Sequence, residues 1–577
     1  MPRKKNRKVI MDMKKTWVLA LALASTLAAT GGQNNYSAET VKKVEQIVSA
    51  TLPQNLRIGS VKVKQMNDSA GKVWVNLAEN YSHASFAPSD VSSIERQVQN
   101  LLGTKSKVVL LIDGAKATDY FFAYDKKYAR RHAPFVTEVD DYKHCKSGLD
   151  GNIVALWQSH GRYYDAGLNR WEWQRPRLFQ TVEDLYPTSY VLPFLMPMLE
   201  NAGAYVWNPR ERDTHTAEVI VDNDGFLAQK GYSELQGAKP WTDGGKGFAY
   251  KQKVYKDYDN PFADGTYRKA ATTDNQSKAS WANWSADIPE DGEYAVYVSY
   301  RTLPNSCEDA TYTVYCDGDK RTFKVNQKMA GGVWVYLGTF PLKKGMNEHV
   351  VTLSNYSKQK NRVVIADAVK IGGGMGNVAR RPAANTPEAR EKSEGLGWWC
   401  SLAKDGVNYE YVTSGYPRFA EGSRYFLQWS GFPDSVYSVT HGLSDYADDF
   451  RSRSEWVNYL AGGSQALPQR KGLGVPLDLS FAFHTDAGVT PDERIFGTQG
   501  IYRCNNFGKY ADGTPRIISR DLCELVTDQI VTDLRAQFEP NWTSRGMTQE
   551  NLYEIRVPEI PGMLMELLSH QNFADMR

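Results

Sequence analysis

The chain has 577 residues, 41% of them hydrophobic and 12% aromatic; it is too long for one core and too apolar for a largely disordered protein, so three or four globular domains are expected. The formal net charge is +3, but Arg3, Lys4, Lys5, Arg7, Lys8, Lys14 and Lys15 stand against Asp12 alone at the amino end. Without them the balance is mildly negative, which leaves no basic footprint for nucleic acid.

Residues 1–33 read as a secretory signal peptide: a basic start, an apolar run over 17–24, then small residues. The run falls short of the ~20 apolar residues that a membrane span needs, and no Cys follows it to carry a lipid. Export to the periplasm, the envelope or the outside is expected, with no span left after cleavage. Export permits disulfides. Among Cys145, Cys307, Cys316, Cys400, Cys504 and Cys523, the closest pair is Cys307 with Cys316, and the absence of any C-x-x-C pair argues against a cysteine zinc site.

Residues 38–136 pattern as a small α+β domain. Val41, Val44 and Ile47 share a helical face, residues 61–63 and 73–77 alternate as strands, Ser89 caps a second helix, and residues 108–112 form a further strand. No His, Cys or carboxylate gathers there at useful spacing, so it is read as accessory.

Residues 150–221 and 393–577 read as two halves of one α/β domain. In the first, residues 153–157 form a buried strand with His160 just beyond its carboxyl end, where α/β sheets place their ligands. Residues 182–201 follow as a helix kinked by Pro187, Pro193 and Pro197. In the second half, residues 446–460 and 522–538 are helical, residues 477–483 lead as a strand to His484, and residues 552–555 and 563–567 are the last two strands. Between the halves, residues 222–375 carry short alternating strands and Gly/Asp/Asn/Pro turns, the pattern of a β-sandwich. A linker is expected over 376–392.

His160 and His484 at strand ends, Glu183 opening the following helix and Glu566 on the last strand bring together two imidazoles and two carboxylates. Two imidazoles and one carboxylate are a zinc set that leaves a fourth position for water, and the other carboxylate would be the general base. The stretches SHGRYYD from Ser159, TVED from Thr181, ENAGAYVWNPRERD from Glu200, LSFAFHTDAG from Leu479 and NLYEIRVPEIPGMLMELLSH from Asn551 resemble, in that order, the motifs of zinc-dependent N-acetylmuramoyl-L-alanine amidases. The resemblance implies an amidase-like mixed sheet with helices on both faces. It implies Zn2+ held by His160, Glu183 and His484, with Glu566 as catalytic base, and as substrate the amide between the muramic lactyl group and L-alanine in peptidoglycan. Arg162 stands where that family has a second glycine, and bulks the rim. Asp486 is either a group orienting a ligand or a turn residue. Trp171, Trp173, Arg175 and Arg177 either contact sugar rings and stem-peptide carboxylates or pack beneath the inserted domain. Arg212 is a further candidate for substrate contact. The chain ends soon after the Glu566 strand, where a closing helix is expected, so a shortened chain is one reading.

KVNQKMAGGVWVYLGTF from Lys324 and RVVIADAVKIGGG from Arg362 resemble the golvesin C-terminal-type domain of exported bacterial proteins and of sequences labelled xanthan lyase, with Asn326, Gln327, Trp334 and Asp367 marking the fold. Residues 38–136 resemble, at a distance, the small GerMN-type modules of envelope proteins. Two further classes follow: an inactive protein that binds or scaffolds a peptidoglycan or cell-surface glycan, and, ranked last for want of a helical toroid, a polysaccharide lyase. His83, His132, His144, His215, His349, His441 and His570 have no strand-end partner in the sequence pattern.

Overall fold

The computed structural model describes residues 36–52, 58–84, 86–120, 133–140, 148–178, 181–492, 494–505 and 508–577. The expected leader and His132, His144 and Cys145 lie outside them. The chain divides into two compact units, 1–123 and 124–577. In the first, Val63–Ser69, Lys72–Leu77, Lys107–Ile112 and Ala115–Lys116 form a sheet in chain order. Its one parallel pair, Lys72–Leu77 with Lys107–Ile112, is joined by the helix Pro88–Leu102. That helix starts one residue before Ser89. Its first turn is closed by the Asp90 carboxylate, which accepts the Ala87 N–H at 2.7 Å, and proline at the first helical position gives up an N–H that has no partner there anyway.

In the second unit a six-stranded mixed sheet runs in the order Ser544–Gln549, Thr498–Tyr502, Gly562–Ser569, Leu479–Asp486, Ile153–Gln158, Tyr205–Trp207. Thr498–Tyr502 is antiparallel to Gly562–Ser569, and the other pairs are parallel. All six residues of Ile153–Gln158 are buried, as expected for a strand covered on both faces. On one face Ala155, Trp157, Ala482 and Leu564 share a core with Trp456, Val457 and Leu460 of the helix Asp445–Ala461. On the other, Val154, Leu156 and Phe483 pack against Val191 and Met196. The helix Ile518–Gln537 lies so close to Thr498–Tyr502 that a Cβ on Gly500 would meet Thr527 Oγ1 at 2.3 Å.

Two expectations for local structure change. The segment after residue 182 is helix Tyr186–Tyr190, a π-helical turn Val191–Leu195 holding Pro193, and helix Met196–Asn201; a proline without a donor forces that local widening. Glu183 sits in the turn ahead of it and not on the helix. Residues 552–555, expected as a strand, contribute to a short helix, Tyr553–Arg556.

The sandwich pairs a six-stranded sheet containing Trp281–Ile288, Gly345–Ser354 and Ala310–Cys316 with a four-stranded one containing Gly292–Val298 and Val335–Leu342. Trp284, Tyr312, Val351, Val296 and Val335 meet in its core. Its sheets recruit strands from outside 222–375: Val219–Val221 pairs with Val369–Ile371, and Val136–Glu138 pairs with Asp319–Val325. Residue 136 therefore belongs to the sandwich and not to the accessory domain. The expected linker 376–392 is packed structure at its start, with Val378 and Ala379 buried and Arg380 exchanging backbone hydrogen bonds with Val412. Cys307 and Cys316 are free thiols. Among the described residues, no helix is long and apolar enough to cross a membrane.

Candidate metal centre

Ser159 ends the first strand with φ +34°, a left-handed conformation that a non-glycine residue holds only where its surroundings impose it. Its N–H continues the ladder to the Phe483 carbonyl at 2.7 Å. The chain then turns against the 421 backbone so tightly that a Cβ on Gly161 would sit 2.4 Å from the Glu421 carbonyl oxygen. Arg210, fully buried, donates to the carbonyls of Gln158, His160 and Glu421. His160 is thus fixed at the strand end by backbone contacts on both sides.

His160 Nε2 lies 3.8 Å, and His484 Nδ1 3.2 Å, from the same oxygen of Glu183. Ligand atoms of the three buried residues all fall within 4.8 Å of one another, and the imidazoles meet edge to face with centroids 5.0 Å apart. Two imidazoles and a carboxylate converging in this way fit a tetrahedral zinc with an open position. Burial, with Arg175 and Arg453 nearby, pushes His160 well below the usual imidazole range, so it is neutral, as a ligand must be. Burial opposes charge on His484 too, but Glu554 and Glu183 outweigh it and raise its pKa to about 10. In the metal-free chain the His484 imidazolium is itself the cation between the two carboxylates, and a metal bound there would have to displace its proton.

The Glu183 oxygen that faces both rings also accepts from Ser159 Oγ at 2.5 Å, and its second oxygen meets Arg175 Nε at 3.3 Å. Arg453 Nη2 lies 3.1 Å from His160 Nδ1 and 2.6 Å from Asp449. Arg453 can only donate, so His160 Nδ1 accepts and the ring proton sits on Nε2. A metal held through Nε2 would move that proton to Nδ1, and Arg453 would give up His160 and keep Asp449 and Glu554. Glu566 stands opposite His484 in the parallel ladder. Its Oε2 is buried with no hydrogen-bond partner. Burial first, with Glu183 and Asp486 adding, pushes its pKa up to about 8 against the pull of His484 and Arg545, a value suited to proton transfer near neutral pH.

The other residues singled out in the sequence are engaged elsewhere. Asp486 pairs with Arg545 at 2.7 Å. Arg162 is clamped between the rings of Trp173 and Tyr416, at 4.0 and 3.6 Å. Trp171 packs on Tyr425 with centroids 4.6 Å apart. Arg212 pairs with Glu200 at 2.7 Å and covers the ring of Tyr336. Sequence reasoning missed Glu554, whose Oε1 accepts from Trp157 Nε1 at 2.5 Å and from Arg453 Nη1 at 2.9 Å. Its signal was an acid inside the otherwise apolar NLYEI stretch. Asp449 and Arg453, an i,i+4 pair on the helix Asp445–Ala461 that the sequence does not single out, are fully buried.

Residues 257–373 match the golvesin C-terminal domain, which accounts for most of the sandwich and leaves every residue of the metal centre outside. No curated protein matches the sequence. Among solved structures the chain is similar to a Paenibacillus xanthan lyase at 24% identity, TM-score 0.21, over 28% of this chain and 13% of that one. It is similar to the C-terminal CBM6 of LamC, a marine laminarinase from Zobellia galactanivorans, at 10% identity, TM-score 0.17, over 27% of this chain and 99% of that one. A CBM35 from Cellvibrio japonicus aligns at 15% identity, TM-score 0.18, over 27% and 94% of the two chains. The protein is thus of mixed helix-and-sheet class, with a golvesin-type β-sandwich inserted in it.

Proposed function

We propose that the protein is an exported zinc-dependent hydrolase that cuts the amide joining the muramic lactyl group to L-alanine in peptidoglycan. The observation that carries the reading is the convergence of His160, Glu183 and His484 within 4.8 Å, beside the half-buried Glu566, whose Oε2 has no hydrogen-bond partner. The choice of bond rests on the motif resemblance. Zinc supplies a Lewis acid that polarises the scissile carbonyl and acidifies water. Glu566 takes the proton of the attacking water as the C–O bond forms. It hands that proton to the amine nitrogen as the C–N bond breaks. Ser159 and Arg175 hold the Glu183 carboxylate in place, Glu554 fixes the His484 imidazole, and Arg210 holds the backbone that carries His160.

Elemental analysis of the purified chain tests the reading. About one zinc per chain, lost in His160→Ala and in Glu183→Ala, together with release of stem peptide from muropeptides, supports it; absence of zinc after reconstitution overturns it. The second reading, a glycan-binding envelope protein without catalysis, is favoured by the family match, because the matched golvesin domain supplies none of the metal-centre residues. It predicts binding to glycan strands with no bound metal and no turnover.

A further inference from the structure

Of the two readings of Trp171 and Trp173, packing is the one the structure shows, and two other rings are not so spent. Trp398 is 78% exposed and Trp399 36%. Trp399 stacks on Tyr446, with centroids 5.6 Å apart and planes at 25°, and its carbonyl is tied down by Ser444 Oγ at 2.8 Å. Trp398 leans on both, 5.7 Å from Trp399 and 5.8 Å from Tyr446. These rings wall a small cleft of about 60 Å³ whose other lining includes Asp165, Arg381 and Ser401.

We infer that the mouth of this cleft is a glycan subsite, with the exposed face of Trp398 as the platform for one pyranose ring. A pyranose has an apolar C–H face and a rim of hydroxyls, and this cleft pairs a free indole face with a carboxylate, a guanidinium and a hydroxyl at its edge. A peptide partner would leave that polar rim with less to bind. The cleft is also wired to the metal centre. Tyr446 OH accepts from Arg175 Nη1 at 2.8 Å, and Arg175 Nε meets Glu183 Oε2 at 3.3 Å, so two side chains separate the platform from a metal ligand. The identification of the sugar as part of a peptidoglycan strand rests on the proposed function; the binding itself does not.

The test is titration of the full chain, zinc-loaded and zinc-stripped, with the tetramer of β-1,4-linked N-acetylglucosamine, followed by tryptophan fluorescence and calorimetry. Saturable binding in both forms, weakened about tenfold in Trp398→Ala and partly recovered in Trp398→Tyr, supports the inference. Melting temperature and zinc content should be unchanged in both variants, because the side chain is exposed. Absence of binding by the parent chain overturns the inference, as does equal binding by Trp398→Ala, which would place the glycan elsewhere. Trp398-dependent binding in a chain that never takes up zinc supports the subsite while overturning the hydrolase.

Discussion

Glu554 Oε1 lies 3.3 Å from Nε2 of His484, on the ring edge opposite the nitrogen that meets Glu183. The same oxygen takes the Trp157 indole and Arg453, and these partners, against the cost of burial, hold the Glu554 carboxyl at about 2. A carboxylate behind a ligating imidazole sets its tautomer and raises its basicity. Glu554→Gln is expected to keep the shape and weaken zinc ~10–100-fold, the usual effect of losing such a partner. Competition against a chromophoric chelator measures this, and a variant that binds zinc as tightly as the parent refutes the role. Glu554→Ala, which leaves buried Arg453 with Asp449 as its one carboxylate partner and opens a cavity, is expected to cost ~2–4 kcal/mol of stability as well.

Glu566→Gln separates catalysis from metal binding. Because Glu566 sits beside His484 in the ladder without belonging to the converging triad, the variant should retain about one zinc per chain and lose ~10²–10⁴-fold in turnover of muropeptides. Retained turnover would give the proton-transfer role to another group.

Much of the site was legible because strand-end histidines follow a recognisable pattern: a buried apolar run, then His-Gly or His-Thr. Glu183 was legible by motif, though its turn was not, since three prolines in the following segment disguise where the helix starts. The aromatic loop left two readings open because exposure is a tertiary property. Trp171 and Trp173 could face sugar or pack, and Tyr425 and Arg162 cover them, while Trp398 and Trp399 lay unremarked at the start of the second half of the domain. The buried charges Asp449, Arg453 and Glu554 were illegible in the same sense: a charge run is ordinarily a solvated face, and only packing shows these three inside.

The sandwich is joined to the sheet domain by Lys370, whose ammonium lies 2.6 Å from Glu211, both side chains fully buried. Lys370 also donates to the Gly372 carbonyl and lies over the Tyr297 ring. Without Lys370 the buried Glu211 carboxylate loses its countercharge and keeps only the Arg212 and Asp213 N–H groups and the Tyr297 hydroxyl as donors, so Lys370→Met should cost ~3 kcal/mol. The double variant Lys370→Met with Glu211→Gln should recover part of that loss. Chemical denaturation of the three proteins measures the coupling, and additive losses would show that the pair does not act as a unit.

Glu421 gives a pH dependence of stability separate from the metal. Its side chain is 1% exposed, Oε1 has no hydrogen-bond partner, and a Cβ on Gly376 would meet that oxygen at 2.0 Å. Burial pushes its pKa up to about 8, with Ser414 and Arg418 opposing and Asp445 adding. A raised folded-state value means that the unfolded chain gives up the proton first. The contribution to stability is therefore complete below about pH 4.5 and is lost as pH rises towards 8, with a slope of at most ~1.4 kcal/mol per pH unit. Glu421→Gln keeps the volume and removes the titration. Melting temperatures measured between pH 5 and 8.5 should fall more steeply in the parent than in the variant, with Glu421→Gln gaining most at the alkaline end. Parallel curves would mean that Glu421 is ionised in the folded chain at neutral pH, with water reaching its unpartnered oxygen.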